Sequence, residues 1–323
     1  MSLLEINDLA VSFDTAAGRI QALAGVSFAL ERGEVLALLG ESGSGKSVTA
    51  SAIMDLVPNP PGAVDRGSIT FDGIDLLALP QRQRRDLCGK RIALIFQDAL
   101  ASLNPVYSVG WQIGEMFRIH HAKPAHEIEA AVIELLEAVG IPDASRRAGQ
   151  YPHQFSGGMR QRIMIAMAVA LEPDIIIADE PTTALDVTIQ AQIIDLLETV
   201  RKRSGAGMIF ITHDLGVVAE IADRVAVMYA GRIVETGNVF ELFADPQHPY
   251  TQGLLASQPR VDVETSDLMP IPGSAPNPAA LPSGCAFRTR CPRAQAVCAE
   301  ILPVLTEAGP GRRVACHFPG APE

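Results

Sequence analysis

The run GESGSGKS at residues 40–47 constrains this chain more than any other stretch. It fits the spacing G-x-x-x-x-G-K-[ST], with Gly40, Gly45, Lys46 and Ser47 at the fixed positions. The apolar EVLALL (34–39) before it reads as a buried strand, and VTASAIMDLV after it has helical apolar spacing. A glycine-rich turn between strand and helix is the context a phosphate-binding loop requires. The glycines let backbone N–H groups from Ser42, Gly43, Ser44 and Gly45 through Val48 turn inward on an anion, and the helix N-terminus adds its partial positive charge. Lys46 then reaches the β- and γ-phosphates, and the Ser47 hydroxyl binds Mg²⁺. An ordinary Gly-rich turn can share this composition, so the remaining motifs decide.

At 323 residues the chain allows about two domains. Hydrophobic residues make up 48% and charged residues 20%, which suffices for a core and excludes global disorder. The net charge of −11 argues against a backbone-reading nucleic-acid binder. MSLLEINDLA has neither a basic start nor a long apolar stretch, so no signal peptide is expected. No run approaches the ~18 apolar residues of a membrane span. Work at a membrane would require docking onto something embedded there.

Residues 1–39 read as short strands (LLEINDLAVSF, GVSFAL, EVLALL) leading into the loop. SITFDG (68–73) and IALIFQ (92–97) continue the strand pattern, and the basic QRQRRDLCGKR between them reads as a solvated helix face. Ile128, Ala131, Val132, Leu135, Leu136 and Val139 recur at helical spacing, and Gly140 and Pro142 stop that helix. DIIIADEP (174–181) suits a central parallel strand carrying function at its C-terminal end, and AGMIFITHD (206–214) is a second of that kind. RVAVMYAGRIVETG (224–237) reads as a hairpin turned at Ala230-Gly231. From about residue 257 the chain becomes rich in Pro and Gly, with four cysteines following, and a small C-terminal module is expected there.

Five features beyond the loop occur in a recognisable order: Gln97 after IALIF, FSGGMRQR at 155–162, Asp179 and Glu180 closing IIIADE, TALD at 183–186, and His213 after MIFIT. Together with GESGSGKS they resemble the ATP-binding-cassette (ABC) ATPases over roughly residues 1–240. The chemistry asks for such residues, because phosphoryl transfer to water is mostly positioning and charge neutralisation around Mg²⁺. Asp179 can hold the metal. Glu180, one residue on, is the natural general base for the attacking water. Gln97 can touch both metal and water, and His213 can bond the γ-phosphate and hold Glu180. The resemblance implies an α/β P-loop domain over 1–256, with a mixed sheet and a helical subdomain near 98–165, and an extension over 257–323. It also implies that Ser156, Gly157 and Gly158 close over the ATP of a second ATPase subunit in a head-to-tail dimer, with Asp186 at that interface. Met159 and Thr183 depart from the commonest family residues, Gln and Ser, without removing a phosphate donor. Phe13 is the best-placed aromatic residue to stack on adenine.

Two stretches narrow the branch. IFQDALASLNPVYSVGWQI (95–113) and DPQHPYTQGLL (245–255), with His248, Pro249 and Tyr250, resemble the ATPase subunits of dipeptide and oligopeptide importers, relatives of which carry nickel or other solutes. That likeness implies two membrane-embedded permease subunits, an extracytoplasmic solute-binding protein, and a peripheral place on the cytoplasmic face of the cell membrane. A DNA-repair ATPase would carry long coiled-coil or zinc-hook insertions, and none interrupts the span from Gln97 to the signature. An exporter motor usually lacks the His-Pro-Tyr tail, and a non-hydrolysing regulatory module would lack Glu180 or His213.

Of five cysteines, Cys285, Cys291, Cys298 and Cys316 form C-x5-C-x6-C-x17-C, while Cys88 sits alone. Disulfides do not suit a chain that meets cytosolic ATP. Zinc, with four thiolates or with His317 as a ligand, usually takes pairs at closer spacing. Wide spacing and a Cys-Pro step suit an iron–sulfur cluster, and resemblance to peptide-importer ATPases with a four-cysteine tail implies [4Fe–4S], with zinc and then free thiols as the alternatives.

Overall fold

A computed structural model of the chain describes residues 2–16, 18–120, 122–183, 185–257 and 270–320. Its strands, in chain order, are β1 (Leu4–Thr15), β2 (Gly18–Leu30), β3 (Val35–Leu39), β4 (Gly62–Phe71), β5 (Ile74–Asp75), β6 (Ile92–Ile95), β7 (Ile175–Asp179), β8 (Gly207–Thr212), β9 (Arg224–Tyr229), β10 (Arg232–Asn238), β11 (Thr306–Gly309) and β12 (Arg312–Val314). They belong to two compact units, one built from residues 1–30, 35–77 and 212–323, the other from 31–34 and 78–211.

In the first unit, β1 and β2 form one long antiparallel hairpin, with β4 and then β5 on the other side of β1. The three runs read as strands over 1–39 are β1, β2 and β3, with β2 reaching back to Gly18, and register shifts after Ile6 and after Val11 absorb extra residues without ending the ladder of β1 and β2. All five residues of β3 are buried, and β3 pairs in parallel with β9. β9 turns into β10 at Ala230 (φ 47°) and Gly231 (φ 75°), the two consecutive positive φ values that a tight hairpin turn demands. β12 pairs with β10 and β11 with β12, so strands of the tail extend the sheet that holds β3. The core continues into the tail as well: Leu39, Val225, Val227, Tyr229, Tyr250 and Phe287 belong to one buried cluster.

In the second unit, β7 lies between β6 and β8 with both pairings parallel, and Ile175 to Asp179 register against Gly207 to Ile211. Ile175, Ile176, Ile177 and Ala178 are fully buried, as a strand covered on both faces requires. Helices Ala99–Ser102, Val109–Ile119, Ala125–Ala138 and Ala144–Arg147 occupy the region expected to be helical, followed by Gly157–Val169. Ala125–Ala138 buries Ile128, Ala131, Val132 and Leu136 at helical period, and Gly140 (φ 74°) follows its end. The basic segment is a helix, Gln81–Leu87, but not a uniformly solvated one, since Arg84 is buried. The boundary expected near residue 257 abuts residues 258–269, which lie outside those described. Among the described residues no helix is long and apolar enough to cross a membrane.

Candidate active site

The phosphate-binding loop lies in the first unit and depends on two glycines. A Cβ on Gly40 (φ 156°) would fall 2.3 Å from the Met228 carbonyl oxygen. One on Gly45 (φ 107°), at the start of helix Lys46–Ile53, would fall 2.7 Å from Leu23 Cδ2 and 3.0 Å from the Ala22 carbonyl oxygen. Lys46 is buried with its ammonium folded back over the loop, donating to the Gly40 carbonyl at 2.7 Å and the Glu41 carbonyl at 3.0 Å. Ser42, Gly43 and Ser47 are exposed, Val48 is half-buried, and Ser44 is buried. Phe13 is half-buried in β1, opposite Ile20 and Gly62. His213 follows Thr212 and lines a cleft of about 400 Å³ with Gly40, Glu41, Ile271 and Arg290. Asp214 beside it caps helix Leu215–Ile221, accepting from the N–H groups of Gly216 and Val217.

The carboxylates lie in the second unit. Asp179 closes β7, and Glu180 follows in the left-handed region (φ 46°), immediately before Pro181. For a non-glycine residue that conformation costs roughly 1–3 kcal/mol, and such strain is concentrated at functional sites. Gln97 Nε2 donates to Glu180 Oε2 at 2.9 Å, and Thr183 Oγ1 donates to the same oxygen at 3.0 Å. Gln97 sits two residues beyond the end of β6 rather than on the strand, which gives its amide the reach to do this. Sequence reasoning missed the Thr183 contact, reading that residue only as a replacement for Ser. A hydroxyl three residues after the acid, across a turn, is the signal that would have found it.

Ser156 caps helix Gly157–Val169, accepting from the Met159 N–H, and Ser156 and Gly157 are exposed at its start. Gly158 is close-packed, because a Cβ there would lie 2.7 Å from Ile189 Cγ2. Asp186 caps helix Val187–Ser204 by accepting from the Ile189 N–H at 2.9 Å, a role within its own chain. Ala184 of the TALD run lies outside the described residues.

The tail is organised around the His-Pro-Tyr segment. His248 is buried and caps helix Pro249–Ala256, its Nδ1 accepting from the Tyr250 N–H at 3.0 Å. Burial, and secondarily the charge of Arg293, pushes the His248 imidazole down to about 3, so the ring is neutral. The buried Glu235 carboxylate accepts from the N–H groups of Gln247 and His248 at 2.8 and 2.9 Å, tying the segment to β10. Cys285, Cys291, Cys298 and Cys316 line one small cavity, with His317 also on its wall. Burial pushes the thiols of Cys285, Cys291 and Cys316 up. Among the described residues, however, no three His, Cys, Asp or Glu side chains form a group that could hold a metal ion. The four cysteines share a cavity without forming such a group.

Residues 23–183 match the ABC transporter family, and residues 234–298 match the oligopeptide/dipeptide transporter C-terminal region. The chain is 55% identical to the oligopeptide transport ATP-binding protein OppD of Bacillus subtilis, over 89% of this chain and 81% of that protein. It is 49% identical to the dipeptide transport ATP-binding protein DppD of the same organism, over 97% and 94%. Against OppD of Salmonella typhimurium it is 48% identical, over 98% and 94%. In structure it is similar to the dimeric ATP-binding cassette MJ0796 in a post-hydrolysis state bound to ADP and Pi, with TM-score 0.66 and 26% identity over 73% of this chain and 98% of that one.

Proposed function

Because this chain belongs to the ABC transporter ATPases, in the branch with the oligopeptide/dipeptide C-terminal region, we propose that it is the ATP-hydrolysing motor subunit of a peptide importer. The observation that carries the reading is the pairing, in one chain, of a phosphate-binding loop with a base-bearing strand end and the His-Pro-Tyr helix. The loop N–H groups and Lys46 bind the phosphates, and Phe13 stacks on adenine. Mg²⁺, when bound with ATP, neutralises charge on the β- and γ-oxygens. The hydroxyl of Ser47, the carboxylate of Asp179 and the amide oxygen of Gln97 are the hard donors that would hold it. Glu180, oriented by Gln97 and Thr183, takes the proton of the attacking water. His213 bonds the γ-phosphate. Ser156, Gly157 and Gly158 present a second anion-binding helix start to the ATP of a partner ATPase subunit, a copy or a paralogue, with Asp186 near that interface.

Residues 1–256 act as the ATPase domain and 257–323 as its accessory extension. The pathway is supplied by two permease subunits, and the solute by an extracytoplasmic binding protein, so the chain works peripherally at the cytoplasmic face of the membrane. The tail cysteines hold a [4Fe–4S] cluster as a structural staple. Four thiols lining one cavity, at wide spacing in the sequence, are what supports a cluster over zinc. Anaerobically purified protein should be brown and contain iron and acid-labile sulfide; a colourless preparation with zinc alone overturns the cluster. For the motor itself, the test is purification from membranes followed by reconstitution with the co-purifying permeases. ATP-dependent uptake of a labelled peptide is expected. Turnover without uptake of any di- or oligopeptide would overturn the peptide assignment.

A further inference from the structure

Glu41 occupies a position that the phosphate-loop pattern leaves unspecified, yet it is fixed at three polar groups. Its N–H donates to the Tyr250 hydroxyl at 2.7 Å, and its carbonyl accepts from the Lys46 ammonium at 3.0 Å. Its carboxylate accepts two bonds from Arg290, from Nη1 at 2.6 Å and Nη2 at 2.9 Å. The holders are themselves immobilised. Tyr250 is fully buried, and the Arg290 side chain is only 5% exposed against 30% for Glu41. Arg290 Nε donates to the Pro272 carbonyl at 3.0 Å, and the guanidinium lies 5.9 Å from the ring centres of both Tyr229 and Phe287. Neither holder belongs to the loop: Tyr250 opens the His-Pro-Tyr helix, and Arg290 immediately precedes Cys291.

An anion-binding loop with a carboxylate inside it has two problems. A free Glu41 would set negative charge beside the phosphates, and a free loop would lose conformational entropy on binding. The bidentate guanidinium neutralises the first and, with the Tyr250 hydroxyl, removes the second. We propose that Arg290 and Tyr250 are positioning residues for ATP binding, holding Glu41, and through it the phosphate loop, in its receptive shape. The proposal rests on the loop binding ATP and adds that the C-terminal extension is required for its affinity.

The test is a double-mutant cycle on the full chain, with a fluorescent ATP analogue as probe and thermal unfolding measured alongside. Arg290→Ala should weaken the probe about tenfold, which is about 1.4 kcal/mol. In a Glu41→Gln background the same change should cost only about two- to threefold, because the charge it leaves unpaired is gone. Arg290→Lys, which keeps charge but not the fork, should fall between and serves if Arg290→Ala does not fold. Tyr250→Phe should weaken binding with Arg290 intact. Wild-type affinity in Arg290→Ala, an equal cost in both backgrounds, or a lowered Tm with unchanged affinity would overturn the proposal. Lys46→Ala provides the control. A wild-type chain that binds the probe no better than this variant would overturn the ATP reading itself, and this inference with it.

Discussion

Glu41 and Glu180 both follow a buried parallel strand, yet the protein treats them oppositely. Glu41 is gripped by a charged partner 249 residues away, buried in the core of its unit. Glu180 is touched by two neutral donors, Gln97 and Thr183, at the surface of the other unit. The first arrangement cancels a charge and fixes a backbone. The second orients a carboxylate through neutral donors, on a backbone residue held in a costly left-handed conformation. On the proposed function, the acid that holds structure is paired with a guanidinium, and the acid that takes a proton is aimed by an amide and a hydroxyl.

The contrast should break most sharply when each acid loses its charge. Glu180→Gln keeps shape and removes the base, so ATP turnover with the partner subunits should fall about 10²–10⁴-fold while ATP still binds. Glu41→Gln should leave turnover at saturating ATP within about tenfold and register mainly as weaker ATP binding. Comparable turnover losses in the two variants would erase the distinction.

The gripped side is also where acid should act. His248 is held far below its unfolded value of 6.5, at about 3, so below pH 6.5 the unfolded chain binds a proton that the folded chain refuses. Stability is present above pH 6.5 and is lost as pH falls toward 3, at up to about 1.4 kcal/mol per pH unit from this group. Chemical denaturation of wild type and His248→Gln between pH 7 and pH 4 should show a shallower slope in the variant. Identical slopes would remove His248 as the cause.

A smaller effect sharpens the aimed side. Thr183→Val removes the hydroxyl bond that orients Glu180 and nothing from its charge. Turnover should drop about three- to tenfold, in line with one hydrogen bond of about 1 kcal/mol, and ATP affinity should hold. Thr183→Ser should recover it. No rescue by Ser would show that the methyl group, not the hydroxyl, matters.

Legibility in the sequence followed the range of the interaction. GESGSGKS, the Ala230-Gly231 turn and the helix Ala125–Ala138 were readable because each is set by neighbours within a few residues. The start of β2 at Gly18, well before GVSFAL, was not, nor were the register shifts in LLEINDLAVSF, since nothing local announces a bulge that lets a ladder continue. Asp186 before an amphipathic run signals a helix cap, and that is its observed contact, although family likeness directed attention to an interface. The Arg290–Glu41 pair was invisible because no periodicity links a tail arginine to a loop acid. The four cysteines were readable as a set, but their spacing could not say how tightly they converge.

On the proposed function, this chain holds its ATP alone and hydrolyses it only with a second ATPase subunit. Ser156→Arg tests it most directly, because Ser156 is exposed at a helix start and is assigned to the partner's nucleotide. ATP affinity of the isolated variant and turnover of the assembled transporter should be measured side by side. Wild-type affinity, within about twofold, together with lost turnover is expected. Loss of affinity in the isolated chain would place the signature at its own site and contradict the claim.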